Sequence, residues 1–117
     1  LSTLFIMSQP SKGRVEIIDF DPTIEYVDYV RSVTHITLKV RNNGLSTVMM
    51  DSIYMESPYG EYVYVPIHKL SQKLEGGETA TLEGDTYLRV GIYYDDIYVA
   101  ILDSDGDIIA KYHYTGD

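Results

Sequence analysis

Apolar residues in this chain recur at every second position in short runs, and no long segment keeps the i, i+3, i+4, i+7 spacing of an amphipathic helix. The pattern predicts β-strands and no long helix. It is clearest between Val33 and Tyr54, where Ile36, Leu38 and Val40 alternate with Thr37 and Lys39. Asn42-Asn43-Gly44 follows, residue types that tolerate positive φ, so the stretch is expected to form a hairpin whose second arm runs from Leu45 or Ser46 to about Glu56. In that arm Val48 and Met50 share one parity while Ile53 and Met55 share the other. One extra residue near Asp51-Ser52 restores a common face, which predicts a β-bulge there.

The remaining runs are read the same way. Arg14 to Phe20 is a predicted strand with Val15 and Ile17 on one face and Glu16, Ile18 and Phe20 on the other. Asp21-Pro22-Thr23 is expected to break it, and Ile24 to Val30 to resume as an edge or crossing segment. Ser57-Pro58-Tyr59-Gly60 is turn material, and Glu61 to Pro66 is a strand with Tyr62 and Tyr64 on one face and Val63 and Val65 on the other. Leu74 to Leu82 connects into a strand, and Leu88 to Tyr94 is another. Ile97–Leu102 and Ile108–Tyr114 flank Asp103-Ser104-Asp105-Gly106-Asp107, a glycine-bearing loop of hairpin length. About seven to nine short strands with turns at near-regular spacing predict a single all-β domain, an immunoglobulin-like antiparallel β-sandwich of two sheets. It occupies residues 10–117, preceded by an apolar arm over residues 1–9. Leu1 to Met7 reads as a first strand, an arm that pairs with a sheet, or the stub of a longer apolar segment.

Composition narrows the function classes. Eighteen acidic against nine basic side chains give a formal charge of -9, which repels phosphate backbones and makes nucleic acid an unfavourable partner. The chain has no cysteine, which excludes disulfides, thiolate catalysis and cysteine-ligated metals. No run reaches the roughly 20 apolar residues of a membrane span. Twelve tyrosines against two phenylalanines and no tryptophan favour half-buried sheet faces and interfaces, because tyrosine joins an apolar ring to a polar tip.

The candidate chemistry is sparse. Asp103, Asp105 and Asp107 alternate like calcium ligands, but Gly106 stands fourth instead of sixth and Tyr114 stands where a bidentate glutamate belongs, so a hairpin turn is the expected role and a weak cation site the alternative. Asp95 and Asp96 join such a site only if the fold brings them near. His35, His68 and His113 are far apart in sequence with no metal spacing and are expected to be solitary imidazoles. No nucleophile elbow surrounds any serine, and Leu74 to Thr79 lacks the lysine of a phosphate loop. The chain is therefore read as a non-enzyme without a cofactor. Tyrosines do cluster, at Tyr59, Tyr62 and Tyr64 and again at Tyr93, Tyr94 and Tyr98. On a strand such residues are cross-strand partners or anchors of a protein interface; contacts along sheet edges and through the candidate binding residues Tyr59, Tyr62, Tyr64, Tyr93 and Tyr94 are the expected mode of binding.

Val40-Arg41-Asn42-Asn43-Gly44, followed by Ser46-Thr47-Val48-Met49-Met50 and Asp51-Ser52-Ile53-Tyr54, resembles a pattern of archaeal surface-filament proteins with β-sandwich domains. These include archaellins, archaeal pilins and, most similar, the archaellum accessory proteins FlaF and FlaG. Leu74-Glu75-Gly76-Gly77-Glu78-Thr79-Ala80 is similar to the lead into a strand in that group. The resemblance implies a sandwich outside the cytoplasmic membrane, held by an N-terminal membrane helix of which Leu1 to Met7 is the remnant. It also implies partners among its own kind, filament subunits or a surface-layer protein. The chain carries no Asn-x-Ser/Thr sequon, although archaeal surface proteins often carry several. A cation- or ligand-binding sandwich and a viral structural module are the alternative expectations.

Overall fold

The computed structural model describes residues 15–29, 31–67, 72–87 and 96–116. Alternation does produce strands throughout, eight of them among the described residues: β1 (Val15–Tyr26), β2 (Ser32–Asn42), β3 (Val48–Glu56), β4 (Tyr62–Pro66), β5 (Gln72–Leu74), β6 (Thr79–Thr86), β7 (Ile97–Asp103) and β8 (Ile108–Tyr114). One sheet has the order β1-β2-β6. The other has the order β4-β3-β7-β8, with β5 also paired to β3, and every pairing is antiparallel. The two sheets form the expected sandwich.

The core is built from the inward parity of each strand. Phe20, Ile36, Leu38, Val40 and Leu82 of the first sheet meet Met50, Ile53, Met55, Val65, Val99 and Ile101 of the second. Burying one such side chain stabilises the fold by about 1.5–3 kcal/mol, so the alternation itself decides which face turns inward. The phase slip in β3 is resolved as expected. The register with β7 shifts between Met50 and Ser52, which leaves Met50, Ile53 and Met55 all buried and turns Tyr54 and Glu56 to the opposite face.

Three expectations are corrected. The stretch from Val33 to Tyr54 is not a hairpin, because β2 and β3 lie in different sheets and residues 43–47 carry the chain from one layer to the other. Both arms present an apolar face, and crossing between layers lets those faces meet, whereas a hairpin would align them side by side. Asp21-Pro22-Thr23 does not interrupt β1: the strand runs on to Tyr26, with Pro22 opposite Ile36. Among the described strands β1 is an edge, where a missing amide hydrogen is tolerated. Phe20 joins Val15 and Ile17 inside instead of lying on the other face, because the register with β2 shifts between Ile17 and Asp19 and leaves Ile18 exposed. The strand expected over Leu88 to Tyr94 and the arm over residues 1–9 lie outside the described residues.

The layer crossing is pinned by Asn42, which is 1% exposed. Its amide Nδ2 donates to the carbonyls of Ser46 (2.7 Å) and Leu74 (3.1 Å), and its Oδ1 accepts from the Gly44 amide (2.9 Å). Its own backbone N–H donates to Glu78 (2.9 Å) and its carbonyl accepts from Gly77 (2.8 Å). One residue therefore ties the 43–47 crossing to the end of β5 through its side chain and to the turn before β6 through its backbone. The two segments approach so closely that a Cβ on Gly76 would lie 2.7 Å from the Leu45 carbonyl oxygen. Replacing Asn42 by Asp keeps the shape but turns a carboxylate toward two carbonyl oxygens. Asn42→Asp is expected to cost about 3 kcal/mol, read as a lowered midpoint in urea unfolding near neutral pH, and a change below about 1 kcal/mol would show that the crossing is held elsewhere.

Candidate protein interface

The bulge in β3 sets up the outward face of the second sheet. Reading across β4, β3, β7 and β8, one row is Tyr62, Glu56, Tyr98 and His113, and the next is Tyr64, Tyr54, Ala100 and Lys111. Tyr54, Ala100, Leu102 and Ile108 form a second buried apolar cluster on this face, with Tyr98 packed against it. Sheet two thus buries apolar side chains on both of its faces, and on the outer one Tyr54 and Tyr98 contribute rings.

Tyr54 is the hub. Its ring centroid lies 5.9 Å from that of Tyr62 and 4.9 Å from that of Tyr64, and Tyr62 and Tyr64 meet edge-on at 6.2 Å. The Tyr54 hydroxyl donates to Glu56 Oε1 at 2.6 Å, a charge-assisted bond between two buried side chains. Burial first, and the carboxylate second, push the Tyr54 phenol far above its ordinary pKa of 10.0, so it remains a donor at any physiological pH. Above this base Tyr62 and Tyr64 stay 62% and 53% exposed. Tyr59, 82% exposed, projects from the preceding turn, which Ser57 Oγ closes by accepting from the amides of Tyr59 and Glu61 at 3.2 Å.

Of the expected binding residues, the fold therefore brings Tyr62 and Tyr64 into ring contact and leaves Tyr59 on the turn beside them. Tyr93 and Tyr94 lie outside the described residues. Tyr98 lies flat against His113, with centroids 4.2 Å apart and planes 7° from parallel, and His113 Nε2 pairs with Asp96. Tyr54 is the residue the sequence reading overlooked. Its signal was present: the bulge that puts Met50 and Met55 inside necessarily puts Tyr54 outside, next to the tyrosines of β4.

Nor are the described histidines solitary. Besides the His113 pair, His35 lies between Asp85 and Glu25, at 2.5 Å and 2.6 Å. His68 lies outside the described residues. Asp103, Asp105 and Asp107 do converge, with carboxylate oxygens within 4.8 Å of one another, but Asp103 Oδ1 already accepts the backbone amides of Asp105 and Asp107 at 2.9 Å each. Gly106, at φ 84°, closes the turn by donating to the Asp103 carbonyl. Asp95 lies outside the described residues, and Asp96, just before β7, is at the opposite end of that strand from Asp103 and is not part of this group.

No protein-family model matches the chain, and no curated protein sequence matches it. Among solved structures, it is similar to the protein determined as Northeast Structural Genomics Consortium target SoR45, at TM-score 0.48 and 10% identity over 87% of this chain and 86% of that one. It is also similar to parts of the Kluyveromyces marxianus β-glucosidase, at TM-score 0.42 and 18% identity for the selenomethionine form and 0.41 and 20% for the glucose complex; each match covers 88% of this chain and 14% of the enzyme. These similarities carry no activity over to this chain.

Two outcomes follow for this face and its neighbouring loop. Tyr54→Phe removes a donor from a buried carboxylate and is expected to cost about 1–3 kcal/mol in chemical unfolding; a neutral result would mean that Glu56 does not depend on the phenol. If the aspartate loop is a turn, Asp103→Ala is expected to cost about 1–2 kcal/mol and Asp105→Ala less than about 0.5 kcal/mol. Equal losses, together with a rise in melting temperature on adding calcium to the parent protein, would instead mark a cation site.

Proposed function

We propose that this domain is a non-enzymatic protein-binding module that acts through the tyrosines of β4 and the turn before it. The observation that carries the reading is the two-level aromatic cluster, in which a buried Tyr54 supports the exposed rings of Tyr62 and Tyr64. Rings already fixed by packing lose little conformational freedom on binding, and tyrosine offers both apolar area and a hydroxyl to a partner. Interface energy concentrates in such preorganised aromatic anchors.

The resemblance of Val40 to Tyr54 and of Leu74 to Ala80 to archaeal surface-filament proteins supports a more specific setting. In that setting the domain works outside the cytoplasmic membrane in an archaeal filament or its anchoring complex, tethered by an N-terminal helix. Its partner is then its own kind, a filament subunit or a surface-layer protein.

Light scattering of the purified domain, alone and mixed with filament or surface-layer proteins, tests the reading. Complex formation is expected in the parent protein, with affinity falling at least about tenfold in Tyr62→Ser/Tyr64→Ser, since loss of two anchors typically removes 1.4 kcal/mol or more. Unchanged affinity in that variant, or a strict monomer that ignores every such protein, would sink the proposal.

A further inference from the structure

The outer face of the first sheet carries an arrangement unlike the rest of that surface. His35 sits in the first half of β2, and its two ring nitrogens reach opposite neighbours: Nδ1 lies 2.5 Å from Asp85 Oδ1 on β6, and Nε2 lies 2.6 Å from Glu25 Oε1 on β1. One imidazole thus touches all three strands of the sheet. Among the described strands β2 lies between β1 and β6, and each of those two pairs with β2 within the sheet.

The geometry specifies a protonation state. An ionised carboxylate only accepts hydrogen bonds, and a neutral imidazole has one N–H to donate. Both contacts can be hydrogen bonds together only when both ring nitrogens carry protons. We propose that His35 is a proton-operated clamp on sheet one, closed across β1, β2 and β6 while the ring holds two protons and releasing β1 or β6 when it loses one.

The surroundings reinforce the charged form. One row along, Asp21 of β1 and Glu83 of β6 flank Thr37 of β2, and the nearest cation on the strand, Lys39, lies a further row away between Asp19 and Thr81. Arg31, in the β1–β2 turn, is engaged by Asp28 at 2.7 Å. The acceptor bonds from Glu25 and then Asp85 accordingly raise the pKa of His35 above its ordinary 6.5, outweighing the opposing effect of desolvation. A group whose pKa is raised on folding gives its full contribution below the unfolded value and loses it as pH rises through the folded value. The clamp is therefore closed below pH 6.5 and opens above it, in the window set by the raised pKa. This device is independent of the tyrosine interface, which lies on the other sheet.

Hydrogen exchange of the full chain, followed by NMR at pH values from about 5.5 to 9 around the ordinary histidine range, tests it. The amides of residues 23–26, 33–36 and 84–86 are read against those of β7 and β8, which correct for the intrinsic pH dependence of exchange. Relative protection is expected to fall on the order of two- to fivefold across the titration of His35, the scale of an exposed ion pair. His35→Gln should show low, pH-independent protection, and His35→Arg, which keeps a charge with several donors, should stay protected throughout. His113→Gln should retain the step. A wild-type protein without the step, a step that persists in His35→Gln, or one that vanishes in His113→Gln instead would overturn the clamp.

Discussion

The architecture depends on the hydrogen bonds of Asn42. A two-sheet sandwich needs its chain to leave one layer and enter the other, and the backbone groups that turn inward at that crossing need hydrogen-bond partners. Asn42 does this from a single buried position, because its amide offers two donors and an acceptor that reach Ser46, Leu74 and Gly44. Its backbone meanwhile holds the turn before β6. The residue therefore sets the spacing between β2 and β3, and with it the meeting of Ile36, Leu38 and Val40 with Met50, Ile53 and Met55. No aliphatic side chain could occupy that corner without stranding carbonyl groups.

Much of this was legible in the sequence, and the failures share a cause. Alternation identified the strands, and the parity slip between Met50 and Ile53 located the bulge, because a buried face forces one phase. The glycine-bearing aspartate loop announced the β7–β8 hairpin. What alternation cannot convey is which sheet a strand joins. Asn42-Asn43-Gly44 has the composition of a hairpin turn, yet its work is to cross layers, and only the long-range bonds to Leu74 and Glu78 distinguish the two. Pro22 misled for a similar reason, since a proline breaks a central strand but not an edge one, and edge position is a property of the whole sheet. The tyrosines of β4 were visible as a cluster and the outward face of Tyr54 followed from the bulge, but its pairing with β4 and the partners of His35 depend on cross-strand register over separations that no local pattern encodes.

The two outer faces of the sandwich have diverged. On sheet one the exposed rows pair opposite or neutral polar groups across strands, such as Glu16 with Arg41 and Asp19 with Lys39, a surface suited to water. On sheet two the corresponding rows hold Tyr54, Tyr62, Tyr64 and Tyr98 around Ala100. The -9 charge thus does not spread evenly over the molecule's faces. An acidic chain resists non-specific association, so under the proposed function a partner would be steered toward the face where carboxylates give way to rings.

That asymmetry also bears on how a partner would be held. Strand addition needs an uninterrupted run of outward backbone groups. β1 offers length, but Pro22, the irregularity at Ile18 and the acids Asp19, Asp21 and Glu25 all discourage a neighbouring strand. The β4 side of sheet two is divided between β4 and the three-residue β5, which take separate halves of β3. Neither of these two sides presents a long accepting ladder among the described residues. Binding through the side chains of β4 is then the physically easier route: rings standing perpendicular to the sheet can be covered without any new backbone pairing. The tyrosines matter as a face supported from below by Tyr54, and the strand that bears them serves to position them.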